Sequence, residues 1–403
     1  MTEDFLPAGR PHHVAPTLET TRVVLVAKSD KGISGSEMGL SVTSMMTAKT
    51  LRAHGVDCRV WCLTNSEELK VKLKTEEWKS DRPITHVIIN TPGFIGPLCY
   101  EQMAIAWPEI AFVMLNHTGL AYLSIDHDAW RNIRWLLDLQ ATFDNVFVAG
   151  NNPRFQKAIE AQFGRHVPHL PNLYDLSTFK PMKELATCFA PLKIGSFAEG
   201  RPWKNQLVAA QAALEIARRV GANGLELHVN ADRWVQTNGL SETRRQLLED
   251  LPGVKLVSVP WQPWHTFMRT LETMHLLLYP SFDESFGMVP ADGIAAGVPS
   301  VTTGALEWTP RYWQSLEPFD PGSIASVGLS LLRAPLTAVQ SGRRALTEYV
   351  LRGVEFWLQF LTGGARWRLE NTRLPQLSAA STSPSGISEM TNALLTQAGG
   401  GER

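Results

Sequence analysis

Short, unbroken apolar runs recur along this chain, and each leads into a loop and then a helix-period segment. The first, Arg22-Val-Val-Leu-Val-Ala27, is followed by a small-residue loop from Ser29 to Ser36 and a helical stretch from Glu37 to His54. Gly55 closes that stretch, and Val56 begins the next strand, which runs to Leu63. A strand that is apolar on both faces must be covered on both faces, as in a parallel sheet flanked by crossover helices; a half-exposed strand would alternate instead. Similar runs at 85–90, 110–115 and 145–149 extend the series, predicting a doubly wound α/β domain.

Past Pro168 the chain becomes loop-like through Pro171-Asn-Leu-Tyr-Asp-Leu-Ser-Thr-Phe-Lys-Pro181, and Leu192-Lys-Ile-Gly195 then opens a second series. It continues with a helix over about 205–220 and apolar runs at 225–229, 254–259, 276–279 and 298–302. A chain of 403 residues, 44% hydrophobic and 19% charged, is too long for one ordinary core and divides into two. Domains of that size bury roughly 70% of the surface of their unfolded chains, so neither needs a disulfide or a metal to be stable. The predicted fold is therefore α/β, with two tandem Rossmann-like doubly wound domains, a deep cleft between them and a C-terminal helical segment. Its expected divisions are a flexible tail 1–19, a first domain 20–182, a second domain 183–345, helices 346–375 packing back on the first domain, and a disordered Ser-, Ala-, Thr- and Gly-rich tail 376–403.

The net charge of −1 supplies no field for a polyanion, so a nucleic-acid partner is not favoured. Cys58, Cys62, Cys99 and Cys188 form no Cys-x-x-Cys pair and are expected to be buried free thiols. Residues 1–19 lack the basic start and apolar stretch of a signal peptide, and no run of about 18 apolar residues occurs. A cytoplasmic protein is expected, with no transmembrane segment; peripheral membrane contact is compatible with this reading.

Chemistry concentrates in Tyr279-Pro-Ser-Phe-Asp-Glu-Ser-Phe-Gly-Met-Val-Pro-Ala-Asp-Gly-Ile-Ala-Ala-Gly-Val-Pro-Ser300. An apolar strand runs into a loop carrying Glu284, a helix opens around Phe286 to Val289, and Asp292 follows on that helix. Pro290 fits the first turn, while Gly297 and Pro299 end it. The free NH groups of Phe286, Gly287 and Met288, with the positive end of the helix dipole, suit a diphosphate beside Glu284. Two further loops stand after strands: Gly32-Ile-Ser-Gly-Ser-Glu37, where Gly35 allows close backbone approach, and Ile194-Gly-Ser-Phe-Ala-Glu-Gly-Arg-Pro-Trp-Lys-Asn205, with Ser196, Arg201 and Lys204. His117 follows the strand at 110–115, at the end where open α/β sheets bind ligands.

The layout of Glu284 and Asp292 resembles the Glu-x7-Glu signature of family 4 retaining glycosyltransferases with the GT-B fold, with Asp in the second place. The likeness spans about Val23 to Thr302, with the motifs in the family's order. It implies that Glu284 lies against the donor sugar and Asp292 against the ribose. His117 would touch the sugar, and Lys204 and Arg201 would neutralise the leaving diphosphate, Arg201 replacing an arginine the family carries where Ser196 stands. Gly35, Ser196, Phe286, Gly287 and Met288 would complete the donor site. The implied activity is metal-independent retaining transfer from a nucleotide sugar, UDP- or GDP-linked, to an unidentified hydroxyl acceptor, with no cofactor. The alternatives are a sugar-nucleotide epimerase of the same fold and a two-lobed binding protein without catalysis, which the departures at Ser34, Ser196 and Asp292 keep open.

Overall fold

The computed structural model describes residues 17–29, 39–79, 83–90, 93–181, 190–198, 201–230, 246 and 251–371. The first lobe is built from β1 (Arg22–Lys28), α1 (Gly39–Ala53), β2 (Asp57–Leu63), α2 (Ser66–Lys79), β3 (His86–Ile89), α3 (Pro97–Ala106), β4 (Ala111–Asn116), α4 (Leu120–Leu123), α5 (His127–Thr142), β5 (Val146–Gly150) and α6 (Pro153–Phe163). The second contains β6 (Leu192–Ser196), α7 (Gln206–Val220), β7 (Leu225–Asn230), β8 (Val254–Val259), α8 (Trp264–Leu271), β9 (Leu276–Leu278), α9 (Met288–Ala296), β10 (Ser300–Thr303), β11 (Gln314–Ser315) and α10 (Pro321–Arg333). A last helix, α11 (Pro335–Asn371), follows.

Both sheets are parallel throughout, in the orders β2-β1-β3-β4-β5 and β11-β10-β9-β6-β7-β8. The reason is visible in β1. Val23 and Leu25 belong to one core and Val24 and Val26 to another on the opposite face, and none of the four is more than 1% exposed. The core under Val23 is continuous from the first lobe through Leu170, Leu173 and Tyr174 of the connecting segment into the second. The two lobes are therefore joined by packing as well as by chain.

The order of strands reverses between β1 and β3 in the first sheet and between β6 and β9 in the second. Ligands of open parallel sheets sit beyond the carboxyl ends of the strands at such a reversal. The loop after β1, with Gly35, falls in 30–38, outside the described residues. The loops after β6 and β9 carry Lys204 and Glu284.

The C-terminal helix begins at Pro335 and runs unbroken to Asn371 across both lobes. Two of its glycines mark close approaches. A Cβ on Gly342 would come within 2.6 Å of Trp313, and one on Gly353 within 2.8 Å of Leu173. On the first lobe, Trp357 Nε1 donates to Pro171 O at 2.8 Å, and Phe360 meets Phe147 edge-on at 5.4 Å. Cys58 is buried, as expected, and its thiol is pushed up to about 12 by burial; Cys62, on the same face of edge strand β2, is exposed. Cys99 is half-buried, and Cys188 lies outside the described residues. Among the described residues, no single helix is long and apolar enough to cross a membrane.

Candidate active site

The Glu284 loop is fixed on several sides. Phe282 N donates to Trp203 O at 2.8 Å, Ser281 Oγ to the same carbonyl at 3.0 Å, and Asn152 Nδ2, from the first lobe, to Glu284 O at 3.2 Å. Lys204 ends a single 3-10 turn, Pro202–Lys204, stopped by Asn205 at φ 54°. That left-handed residue is itself locked, since its Nδ2 donates to Pro280 O at 3.2 Å and Pro318 O at 2.6 Å. The result is an ion pair between Lys204 Nζ and Glu284 Oε1 at the β6/β9 reversal, with the ammonium 3.4 Å from Tyr279 Oη. Their side chains are 13% and 7% exposed, so removing either partner would leave an uncompensated charge in a poorly hydrated place. Among the described residues Glu284 Oε2 takes no hydrogen bond.

The following helix begins as its sequence requires. Gly287 caps α9 at φ 77°, and a Cβ there would lie 2.7 Å from Leu306. Met288 opens the helix, and Gly297, at φ 86°, closes it. The Phe286 side chain points into the protein, stacked on Trp308 at 5.6 Å and close to Tyr349, so only its backbone can face a ligand. Ser196 is the buried last residue of β6.

Asp292 is enclosed by the protein. It is 2% exposed, and its Oδ1 accepts from Tyr174 Oη at 2.7 Å and Trp264 Nε1 at 3.0 Å. Burial, opposed by these two hydrogen bonds, raises the carboxyl to about 7. Asp292 thus ties the connecting segment and α8 to α9.

His117 and Arg201 stand where the lobes meet. His117 Nδ1 lies 3.2 Å from Asn151 Nδ2, and because an amide NH2 only donates, Nδ1 accepts and Nε2 carries the ring proton. Nε2 is buried with no hydrogen-bond partner among the described residues, and burial pushes the imidazole down to about 4, leaving it neutral at pH 7. Two residues on, Gly119 admits Asp283 from the second lobe, whose Oδ2 would be 2.0 Å from a Cβ and accepts from Ala121 N at 2.9 Å. The Arg201 guanidinium lies over the rings of Tyr122, from the first lobe, at 4.6 Å and Trp203 at 5.8 Å. Of the sequence candidates, Glu284 and Lys204 are thus in direct contact. His117 joins them through the neighbouring asparagines Asn151 and Asn152, and Arg201 lies against the aromatic contact between the lobes.

Sequence reasoning missed Asn151, Asn152, Asp283, Tyr174 and Trp264. Asn152 carried a signal: Asn followed by proline is an N-cap pattern, and its Oδ1 accepts from Arg154 N at 2.7 Å. Among the described residues, no group of three His, Cys, Asp or Glu side chains is placed to hold a metal ion.

No protein-family model and no curated protein matches the sequence. Solved structures do match the fold. Sucrose-phosphate synthase from Thermosynechococcus elongatus superposes with a TM-score of 0.57 at 14% identity, covering 84% of this chain and 98% of that one. The fold is GT-B. Other GT-B neighbours are α,α-trehalose 6-phosphate synthase from Burkholderia multivorans, with a TM-score of 0.56 at 12% identity over 88% of this chain and 100% of that one, and Anabaena HepE in complex with UDP-glucose, at 0.52 and 16% over 87% and 99%. At these identities the GT-B likeness is one of fold; residue roles rest on the geometry above.

Proposed function

We propose that this protein is a metal-independent glycosyltransferase of the family 4 type, moving a sugar from a UDP- or GDP-sugar to a hydroxyl acceptor with retention of configuration. The observation that carries the proposal is the Lys204–Glu284 pair, held between the lobes at the strand reversal and beside the glycine-capped start of α9. Fold neighbours named as UDP-forming or sugar-phosphate synthases, and one solved with UDP-glucose, support a nucleotide-sugar donor.

In this reading the donor's diphosphate meets Lys204 and the backbone NH groups that open α9, with Arg201 moving from its aromatic stack to assist. Each well-aimed donor stabilises the developing phosphate charge by about 3 kcal/mol. Glu284 Oε2 accepts from a sugar hydroxyl. The neutral His117 Nε2–H donates to another, which satisfies a buried donor whose isolation costs about 1–3 kcal/mol. The sugar C1–O bond to phosphate breaks as the acceptor oxygen bonds to C1 on the same face. The acceptor proton passes to the departing phosphate oxygen, so no protein base is required. Asp292 lies outside this set.

The test is nucleotide release from a panel of UDP- and GDP-sugars, with Lys204→Ala and Glu284→Gln as controls. Release that depends on both residues is the expected result; wild-type turnover in both variants sinks the assignment.

A further inference from the structure

Beside Glu284 lies a cavity of ≈ 350 Å³. Glu284 and Ser285 are its only wall residues from the strand-to-helix loop, and neither Lys204 nor Arg201 lines it. One face of α11 closes it with Glu348 and Tyr349, then Arg352 and Phe356 one and two turns on, as a helix face requires. Trp308 from the second lobe and Arg154 from the first are among its other wall residues.

Three observations say what this cavity fits. Glu284, 8% exposed, lines the cavity and is already paired with Lys204 through Oε1, so the carboxylate at this wall brings no unmet charge. Trp308 and Tyr349, with ring centroids 6.3 Å apart, supply aromatic wall of the kind that packs against the CH face of a sugar ring. At the exposed rim, Glu348 and Arg352 are four residues apart on α11, yet are neither paired with each other nor hydrogen-bonded to any described residue. Arg154, by contrast, is already paired with Glu307 at 3.2 Å. Glu284 and Glu307 are met by Lys204 and Arg154, and Glu348 and Arg352 carry opposite charges, so there is no single-sign field to draw in a phosphate or polyanion. What remains is a set of hydrogen-bond acceptors and donors beside aromatic rings, in a space near the lower end of the usual range for small ligands.

We infer that this cavity is the acceptor subsite, and that the acceptor is a neutral saccharide of one or two rings, held by Glu348 and Arg352 at the rim and by Trp308 and Tyr349 inside, next to Glu284. The inference rests on the transferase reading above. It adds the class of acceptor and assigns α11, which no donor contact uses, a place in the site.

The test measures nucleotide release from the best donor, alone and with methyl glycosides of glucose, galactose, mannose and N-acetylglucosamine, maltose, or glucose 6-phosphate. At least one neutral saccharide is expected to accelerate release. Glu348→Ala and Arg352→Ala should each raise its KM about tenfold, equivalent to about 1.4 kcal/mol, with the KM for the nucleotide sugar unchanged. Both positions are exposed on α11, and equal thermal midpoints would verify the fold. An unchanged saccharide KM in both variants overturns the inference, as does acceleration by glucose 6-phosphate alone or by none of the panel while the donor is still hydrolysed. A protein that neither binds nor hydrolyses any nucleotide sugar overturns the transferase reading itself, and the acceptor assignment with it.

Discussion

Glu284 and Asp292 stand eight residues apart around one helix start, and their surroundings differ in kind. Glu284 sits in the loop beyond β9, where the strand reversal opens a cleft, and it meets a lysine from the neighbouring loop and lines a cavity. Asp292 sits on the second turn of α9, between the connecting segment and α8, where only a tyrosine hydroxyl and an indole NH reach it. A carboxylate beside a cation in a cleft stays available for chemistry. One enclosed by neutral donors becomes a tie between elements, and its own charge is disfavoured.

The sharpest way to break this contrast is to remove each side's partners. Lys204→Ala is expected to lower sugar transfer by about 10²–10³-fold, the usual loss of a charge-stabilising donor, in a nucleotide-release assay. Asp292→Asn, which keeps an acceptor oxygen for Tyr174 and Trp264, should retain most of the transfer. An equal collapse in both variants would erase the distinction.

Asp292→Ala is expected to act on stability, costing about 1–3 kcal/mol for each donor left unsatisfied, as read by urea unfolding. Next comes pH. Because the folded Asp292 pKa is about 7 against an ordinary 3.8, the native state keeps a proton that the unfolded chain has released. Unfolding therefore releases a proton between about pH 4 and 7, and this contribution to stability declines as pH rises through that window and levels off above it. Asp292→Asn should remove this component of the pH dependence, and an unaltered profile would count against the buried carboxyl. The mildest effect is expected at Asp283, next to Glu284. Loss of its hydrogen bond from Ala121 N by Asp283→Ala should cost about 1 kcal/mol, as for a helix cap, and reduce transfer far less than Glu284→Gln does.

Much of the fold was legible because its signals are local. Runs such as Val23 to Ala27, buried on both faces, specify parallel strands, and Gly287 and Gly297 bracket α9 because their left-handed φ angles suit residues without a Cβ. The edge strand β11, with two residues, offered no periodicity to read, and glycines inside the C-terminal helix carry no local sign of what they pack against. Gly342 and Gly353 are contact points, where the helix backbone approaches Trp313 and Leu173. Cys62 shares the face of β2 that buries Cys58, yet is exposed near the carboxyl end of this edge strand, a difference the strand pattern does not carry.

By itself the sequence determined two parallel α/β lobes and brought Glu284 and Lys204 to strand ends, since apolar runs, glycines and prolines act within a few residues of where they stand. Only the tertiary structure decided what each carboxylate meets. Lys204 is 80 residues from Glu284, and Tyr174 is 118 from Asp292. Whether an acid stays a charged partner in a cleft or becomes a tie within the core depends on which side chains converge on it and how much water they exclude, and no local pattern encodes that.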